Sequence, residues 1–153
     1  MKYKFLSGKK TQTILYGIGL LVFYFNTESK GADWKFLGKT NEFYFYYDVE
    51  SVTRTSKDIV RVRAKNVSIN DKGKNLVLRA AKEDRRPTKG YEQYTHTIMV
   101  HEIRCPNNMA RIISVADYNN KDKVLASHTF RNPEWDSIDP DGVGDLLYKE
   151  VCR

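Results

Sequence analysis

Apolar and polar residues alternate along much of the chain beyond residue 31, as they do in β-strands that bury only one face. Segment 58–66 shows this alternation without a break. Three apolar residues share one face and three cations share the other: Val60, Val62 and Ala64, against Arg61, Arg63 and Lys65. We therefore predict a strand here, with one face in the core and a stripe of positive charge on the other.

Four further segments predict strands. Segment 42–48 is mostly aromatic, which favours a strand, and it places Tyr44 and Tyr46 on one face. Segments 91–104, 109–118 and 123–130 follow, and the first of them has no cleanly apolar face, so we expect a β-bulge in it. Turns are expected at 71–74, 106–108 and 119–122. Segment 76–81 fits a strand or a short helix, and segment 82–90 reads as a charged loop.

The C-terminal segment changes from alternation to helical spacing. Apolar residues recur at intervals of three and four at Val143, Leu146, Leu147 and Val151, and Asp141 stands where it can cap the first turn. The predicted fold class is therefore α+β, an antiparallel sheet of about six strands with one C-terminal helix packed on it.

The N-terminal segment has the order of a secretory signal peptide. Lysines precede an uncharged apolar run at 14–25, and Ser29 and Gly31 are the small residues expected before a cut at Ala32. The run is shorter than the roughly 18–20 residues that span a bilayer, although an uncleaved anchor remains the alternative. We predict a signal peptide at 1–31 and a single domain at 32–153, exported to the periplasm, the outer surface or the medium. Only the uncleaved segment would hold it in a membrane.

The net charge of +7 belongs in large part to this segment. Without residues 1–31, which hold five lysines and one glutamate, 21 basic and 18 acidic side chains remain, a net charge of +3. Overall basicity is therefore a poor indication of nucleic-acid binding, and no nucleic-acid partner is predicted.

The chain has two cysteines, Cys105 and Cys152. An even number of cysteines in an oxidising compartment normally forms disulfides. A zinc site would need further ligands at suitable spacing, and a catalytic thiol would need an activating partner. We predict a Cys105–Cys152 disulfide that ties the C-terminal helix to the end of the long strand 91–104.

Two groups of residues are candidate contact sites. The basic stripe of Arg61, Arg63 and Lys65, with Tyr44 and Tyr46 on a neighbouring strand, is either an anion-binding face or an ordinary solvated sheet face. The loop cations Arg85, Arg86 and Lys89 form either a contact loop or a mobile polar loop.

The patterns of catalytic and metal sites give no comparable indication. His96 and His101 fall on opposite faces of one strand, which disfavours a shared metal site. No nucleophile elbow or phosphate loop stands out, so we predict neither an enzyme nor a cofactor.

Several motifs together resemble the surface-adhesin protein E family of exported bacterial proteins. The resemblance covers nearly all of 34–152, and its motifs are Tyr46-Tyr47-Asp48, Ser51-Val52, Ile59–Val62, Glu102-Ile103-Arg104-Cys105, Ala110–Val115, Trp135, Ile138–Tyr148 and Val151-Cys152. It implies a strongly bent antiparallel sheet with one C-terminal helix held on its concave side by the disulfide. It also implies a surface protein that binds host matrix components. The best-known members carry a lipid anchor, whereas this sequence has no lipobox.

The leading functional hypothesis is a non-catalytic exported binding domain of the cell envelope. Its partner would be an extracellular protein or a polyanion, and self-association is a further expectation. The alternatives are an envelope structural or assembly component and a small hydrolase.

Overall fold

The structure is a computed structural model and describes residues 31–153. The predicted signal peptide at 1–31 lies outside the described residues except for Gly31. Within 31–153, no helix is both long and apolar enough to cross a membrane.

The described residues form one antiparallel sheet and two helices. The strands are β1 Trp34–Lys39, β2 Phe43–Asp48, β3 Thr53–Arg54, β4 Ile59–Ser68, β5 Tyr94–Arg104, β6 Met109–Asn119, β7 Val124–Thr129 and β8 Asp136–Ser137; the helices are α1 Asp71–Glu83 and α2 Val143–Val151. The order in the sheet is β1-β2-β4-β5-β6-β7, with β3 beside β4 and β8 beside β6. The predicted fold class is confirmed. The sheet exceeds about six strands because it includes β3 and β8, which have two residues each and are too short to show periodicity.

The predicted alternation in β4 is confirmed. Val60 and Val62 are buried, whereas Arg61 and Arg63 are exposed. The expected irregularity in the long strand is also present, because the register of β5 against β6 shifts between Val100 and His101 and near Tyr94. The strand starts at Tyr94 rather than at residue 91, since Tyr91–Gln93 form a 3-10 turn.

The expectation of a turn at 71–74 is wrong, because these residues are the first turn of α1. The Asn70 side chain accepts a hydrogen bond from the Gly73 amide at 3.0 Å and caps the helix. Gly73 is buried where a β-carbon would lie 2.7 Å from the Glu42 carbonyl oxygen. The glycine therefore allows helix α1 to pack closely against the backbone just before β2, and it does not form a turn. Helix α1 continues to Glu83 and includes the first two residues of the predicted loop.

Helix α2 is present where it was predicted, but its cap differs. Gly142 is the N-cap and its φ is −83°, whereas Asp141 precedes it with φ 62°. The Asp141 amide donates to the Asp145 carboxylate at 3.3 Å, so the side chain that satisfies this end comes from within the helix.

Helix α2 covers one face of the sheet, which we call the helix face. Its buried residues Leu147 and Val151 join a core cluster with Tyr47, Val60, Val62, Ala64 and Ile103. The Tyr47 hydroxyl donates to Glu150 at 3.0 Å, and the Tyr148 hydroxyl donates to the Cys105 carbonyl at 3.0 Å. The Cys105–Cys152 disulfide is confirmed, with a Cα–Cα distance of 5.5 Å.

Helix α1 packs on the same face at the other end of the sheet. Its Ala81 lies in a second buried cluster with Tyr91, Tyr94 and Ala126. Ala126 pairs with Asp117, and Asp117 pairs with Thr97. Because side chains alternate along β5, Thr97 lies on the same face as Ile103, and so does this cluster. Neither helix therefore lies on the opposite side of the sheet, which we call the open face.

Removing the disulfide should destabilise the protein. The bond closes a loop across 47 residues, and we expect Cys105→Ser with Cys152→Ser to lower the free energy of unfolding by roughly 2–4 kcal/mol in urea titrations. A reductant should destabilise the wild-type protein and leave the double variant unchanged. Free thiols in the native exported protein, or equal stability of the two proteins, would contradict the structural role of the bond.

Candidate ligand-binding face

The open face brings the predicted basic stripe and the predicted tyrosines together. Tyr46 pairs with Lys65, and Tyr44 pairs with Val67, so β2 places both phenol rings beside β4 on the side that carries the stripe. Tyr44 is exposed and Tyr46 is half-buried. Whether this face binds an anion stays a prediction, and its charges decide how strongly it can do so.

Asp48 neutralises the middle of the stripe. Its side chain is fully buried and accepts hydrogen bonds from Arg63 Nε at 3.0 Å and from Arg63 Nη2. It also accepts hydrogen bonds from the backbone amides of Asp33 at 3.0 Å and Glu50 at 3.2 Å. Because a buried carboxylate needs such partners, Arg63 holds β2 to β4 and contributes little free charge.

Glu102 occupies the corresponding position on β5. Its side chain is only 5% exposed and lies between two guanidinium groups, with Arg61 Nη2 at 2.6 Å from one oxygen and Arg111 Nη2 at 2.6 Å from the other. Burial alone would raise the pKa of Glu102, but the hydrogen bonds from Arg61 and Arg111 outweigh it and lower the pKa. The carboxylate is therefore ionised at neutral pH, and this group of three side chains keeps one net positive charge.

Lys65 is held by aromatic rings instead of a carboxylate. Its Nζ lies 4.3 Å from the centre of the Trp34 ring and 5.4 Å from that of Tyr46. Burial lowers the pKa of Lys65. A cation over an aromatic ring is attracted by the negative ring face and keeps its full charge.

Arg104 has the same kind of support at the other end of the face. Its guanidinium carbon lies 4.3 Å from the centre of the Trp135 ring, and that of Arg111 lies at the same distance. Strand β8 sets this position, because Asp136 pairs with Ala110 and so brings Trp135 beside Arg111. Within 31–153, the Arg104 side chain has neither a carboxylate partner nor a hydrogen bond.

The sequence alone did not indicate Asp48, Glu102, Arg104, Arg111 or Trp135 as parts of this face. They are separated from the stripe in sequence and reach it only through the pairing of β2 and β5 with β4, of β6 with β5, and of β8 with β6. The sequence did show on which face of the predicted long strand Glu102 lies. This would have indicated a contact with the stripe only if the neighbouring strand had been known.

The loop cations have different surroundings. Arg86 has a side chain only 7% exposed and forms an ion pair with the fully buried Asp117 on the helix face. The Tyr91 hydroxyl donates to the same carboxylate at 2.5 Å. Arg85 and Lys89 are exposed. Arg86 therefore anchors the loop to the sheet, and the role of the loop as a contact site stays a prediction.

The helix face contains cavities beside the N-terminus of α2. Two of them, of about 320 and 140 Å³, share His101, Val143, Gly144 and Leu147 as lining residues. Burial lowers the pKa of His101 to about 4, so its imidazole is neutral at pH 7. His96 lies on the open face and stacks on Tyr118 at 4.9 Å. In the described part of the chain, no three metal-ligating side chains come together.

The comparison with protein-family models agrees with the resemblance seen in the sequence motifs. The family model described as surface-adhesin protein E matches residues 34–153. A solved structure of Haemophilus influenzae protein E, in its crystal form II, is similar with a TM-score of 0.43 and 13% sequence identity, and the match covers 76% of this chain and 91% of that chain. No curated protein matches this chain. Because the family model spans most of the sequence, the chain belongs to the surface-adhesin protein E family.

Proposed function

We propose that this protein is a non-catalytic binding protein of the bacterial cell envelope, and that it binds an acidic polymer through the open face. Membership of a family of surface adhesins supports a role in binding at the cell surface. The nature of the ligand is inferred from the face itself.

One observation carries the proposal, which is the excess of cations over carboxylates on the open face. Two carboxylates, Asp48 and Glu102, stand among five cations: Arg61, Arg63, Lys65, Arg104 and Arg111. Asp122 partly opposes the effect by which burial lowers the pKa of Lys65, and the group remains positive when this third carboxylate is counted. A surface with one dominant sign of charge attracts polyanions and speeds their association.

The arrangement of these cations suits a polymer better than a small anion. They extend across β4, β5 and β6, from Lys65 at one end to Arg104 and Arg111 at the other, and the five do not converge on one point. Their side chains are fixed by buried carboxylates or by aromatic rings, so little conformational entropy is lost when a ligand binds.

We also propose that residues 1–31 direct export and are removed. The lysine-rich start, the apolar run and the small residues before Ala32 support this, and a surface role requires export. N-terminal sequencing of the exported protein should show that it begins at Ala32. A protein that keeps its first residues and sediments with membranes would instead have an uncleaved anchor.

The proposed ligand class can be tested by titrating heparin, as an acidic polysaccharide, into the exported protein. We expect binding at an ionic strength of about 0.01 M that weakens at about 0.15 M, since salt screens exposed charges. Arg61→Gln with Lys65→Gln should weaken binding roughly ten-fold. This pair leaves no buried carboxylate without a cation, because Glu102 keeps Arg111.

The matched control is Lys74→Gln with Arg79→Gln on α1, which removes the same charge elsewhere and should change affinity less than about two-fold. A further variant, Arg85→Gln with Lys89→Gln, tests the loop. No binding at low salt, or equal effects of the open-face and control pairs, would exclude the open face. A loss confined to the loop variant would transfer the site to residues 82–90.

A further inference from the structure

The cations of the open face differ in how many of their hydrogen-bond donors are free. Arg61 and Arg111 each use Nε and Nη2 on Glu102, and Arg63 uses the same two atoms on Asp48. Arg104 makes no side-chain hydrogen bond within 31–153. A guanidinium has five N–H donors in a planar fork, so Arg104 is the one arginine of this group that keeps all of them for a ligand.

Trp135 gives Arg104 a fixed position without neutralising it. A carboxylate in its place would hold the side chain equally well but would cancel its charge. The indole attracts the guanidinium through its ring face and leaves the donor edges free. Trp135 directly precedes β8, and the pairing of β8 with β6 places its indole beside Arg104 and Arg111.

A second aromatic-held cation lies at the far end of the same face. Lys65, over Trp34, pairs with Ile98, which precedes Arg104 by six residues along β5. At about 3.4 Å per residue, the backbone positions of Lys65 and Arg104 are therefore roughly 20 Å apart along the sheet. Between them lie the neutralised Arg63 and the partly neutralised Arg61.

The ring contacts also indicate which polymer fits. Proteins that bind single-stranded nucleic acids stack bases on free aromatic faces. Here Trp34 and Trp135 are contacted by cations, and Tyr118 is stacked on His96. The exposed rings of this face are Phe36 and Tyr44, which contact each other edge to face at the end away from Arg104. An added peptide strand would need a free sheet edge, whereas β4, β5 and β6 are paired on both sides.

From these contacts we infer that Arg104, positioned by Trp135, is the principal anion-binding residue of the protein, and that its ligand is an acidic polysaccharide extending to Lys65. A sulfate or carboxylate group of the polymer accepts two parallel hydrogen bonds from the Arg104 fork. A second acidic group lies against Lys65. This inference rests on the proposed function and adds the residue, the polymer class and the length of the site.

The experiment compares single variants of the exported protein that remove equal charge. Arg104→Gln should weaken heparin binding roughly ten-fold and Arg61→Gln less than about three-fold. Arg104→Lys keeps the charge but lacks the fork, and it should remain at least about five-fold weaker than wild type. Trp135→Leu changes no charge and should also weaken binding. Thermal unfolding of each variant checks that the fold is intact.

Two further measurements test the ligand. Heparin fragments long enough to reach from Arg104 to Lys65 should bind more tightly than shorter ones, and Lys65→Gln should remove this advantage. A single-stranded oligonucleotide and polyglutamate of matched charge should bind more weakly than heparin.

The outcomes separate the two proposals. If heparin does not bind at all, the proposed function fails. If heparin binds and Arg61→Gln is as harmful as Arg104→Gln, or Arg104→Lys and Trp135→Leu bind like wild type, then only net charge matters and the role of Arg104 is wrong. Tighter binding of the oligonucleotide or of polyglutamate would overturn the polymer class.

Discussion

The Cys105–Cys152 disulfide is the constraint on which the difference between the two faces of the sheet depends, because it holds helix α2 on one of them. Helix α2 has only nine residues, begins at a glycine cap and contains Gly144, so it would be a marginal helix by itself. Packing of Leu147 and Val151 and the bond at its end keep it on the sheet. With both helices on the helix face, no helix of residues 31–153 covers the other face of β4, β5 and β6, and its cationic side chains are exposed or half-buried.

The open face divides its cations by the kind of group that holds them. Buried carboxylates hold Arg63 and Arg61, and these ion pairs join β4 to β2 and to β5. Aromatic rings hold Lys65 and Arg104, whose charges remain available. The first kind of contact supports the sheet and the second kind supports binding. A stripe that looks uniform in sequence is therefore not uniform in function.

Local patterns predicted five of the eight described strands, because a period of two is visible within a single segment such as 58–66. The disulfide followed from the number of cysteines and the expected compartment. The start of α1 could not be predicted in this way, since Gly73 is needed for contact with the Glu42 carbonyl, which is a tertiary reason. The charge balance of the open face could not be predicted from the sequence either, because it also depends on tertiary contacts. Asp48, Glu102 and Trp135 reach the stripe only through strand pairing, and Arg86, an exposed loop cation by its sequence context, is buried against Asp117.

The most direct test of the central claim, that the open face is the binding surface, is NMR spectroscopy of the exported protein labelled with nitrogen-15 during titration with heparin. The two tryptophans of the chain both belong to this face, so their indole N–H signals report on it, and the Nε–H signal of Arg104 reports on the proposed contact. We predict that these three signals shift together and saturate, while amide signals in helices α1 and α2, on the helix face, stay unchanged. Shifts concentrated in helix α2 or in residues 82–90, with both indole signals unmoved, would contradict it.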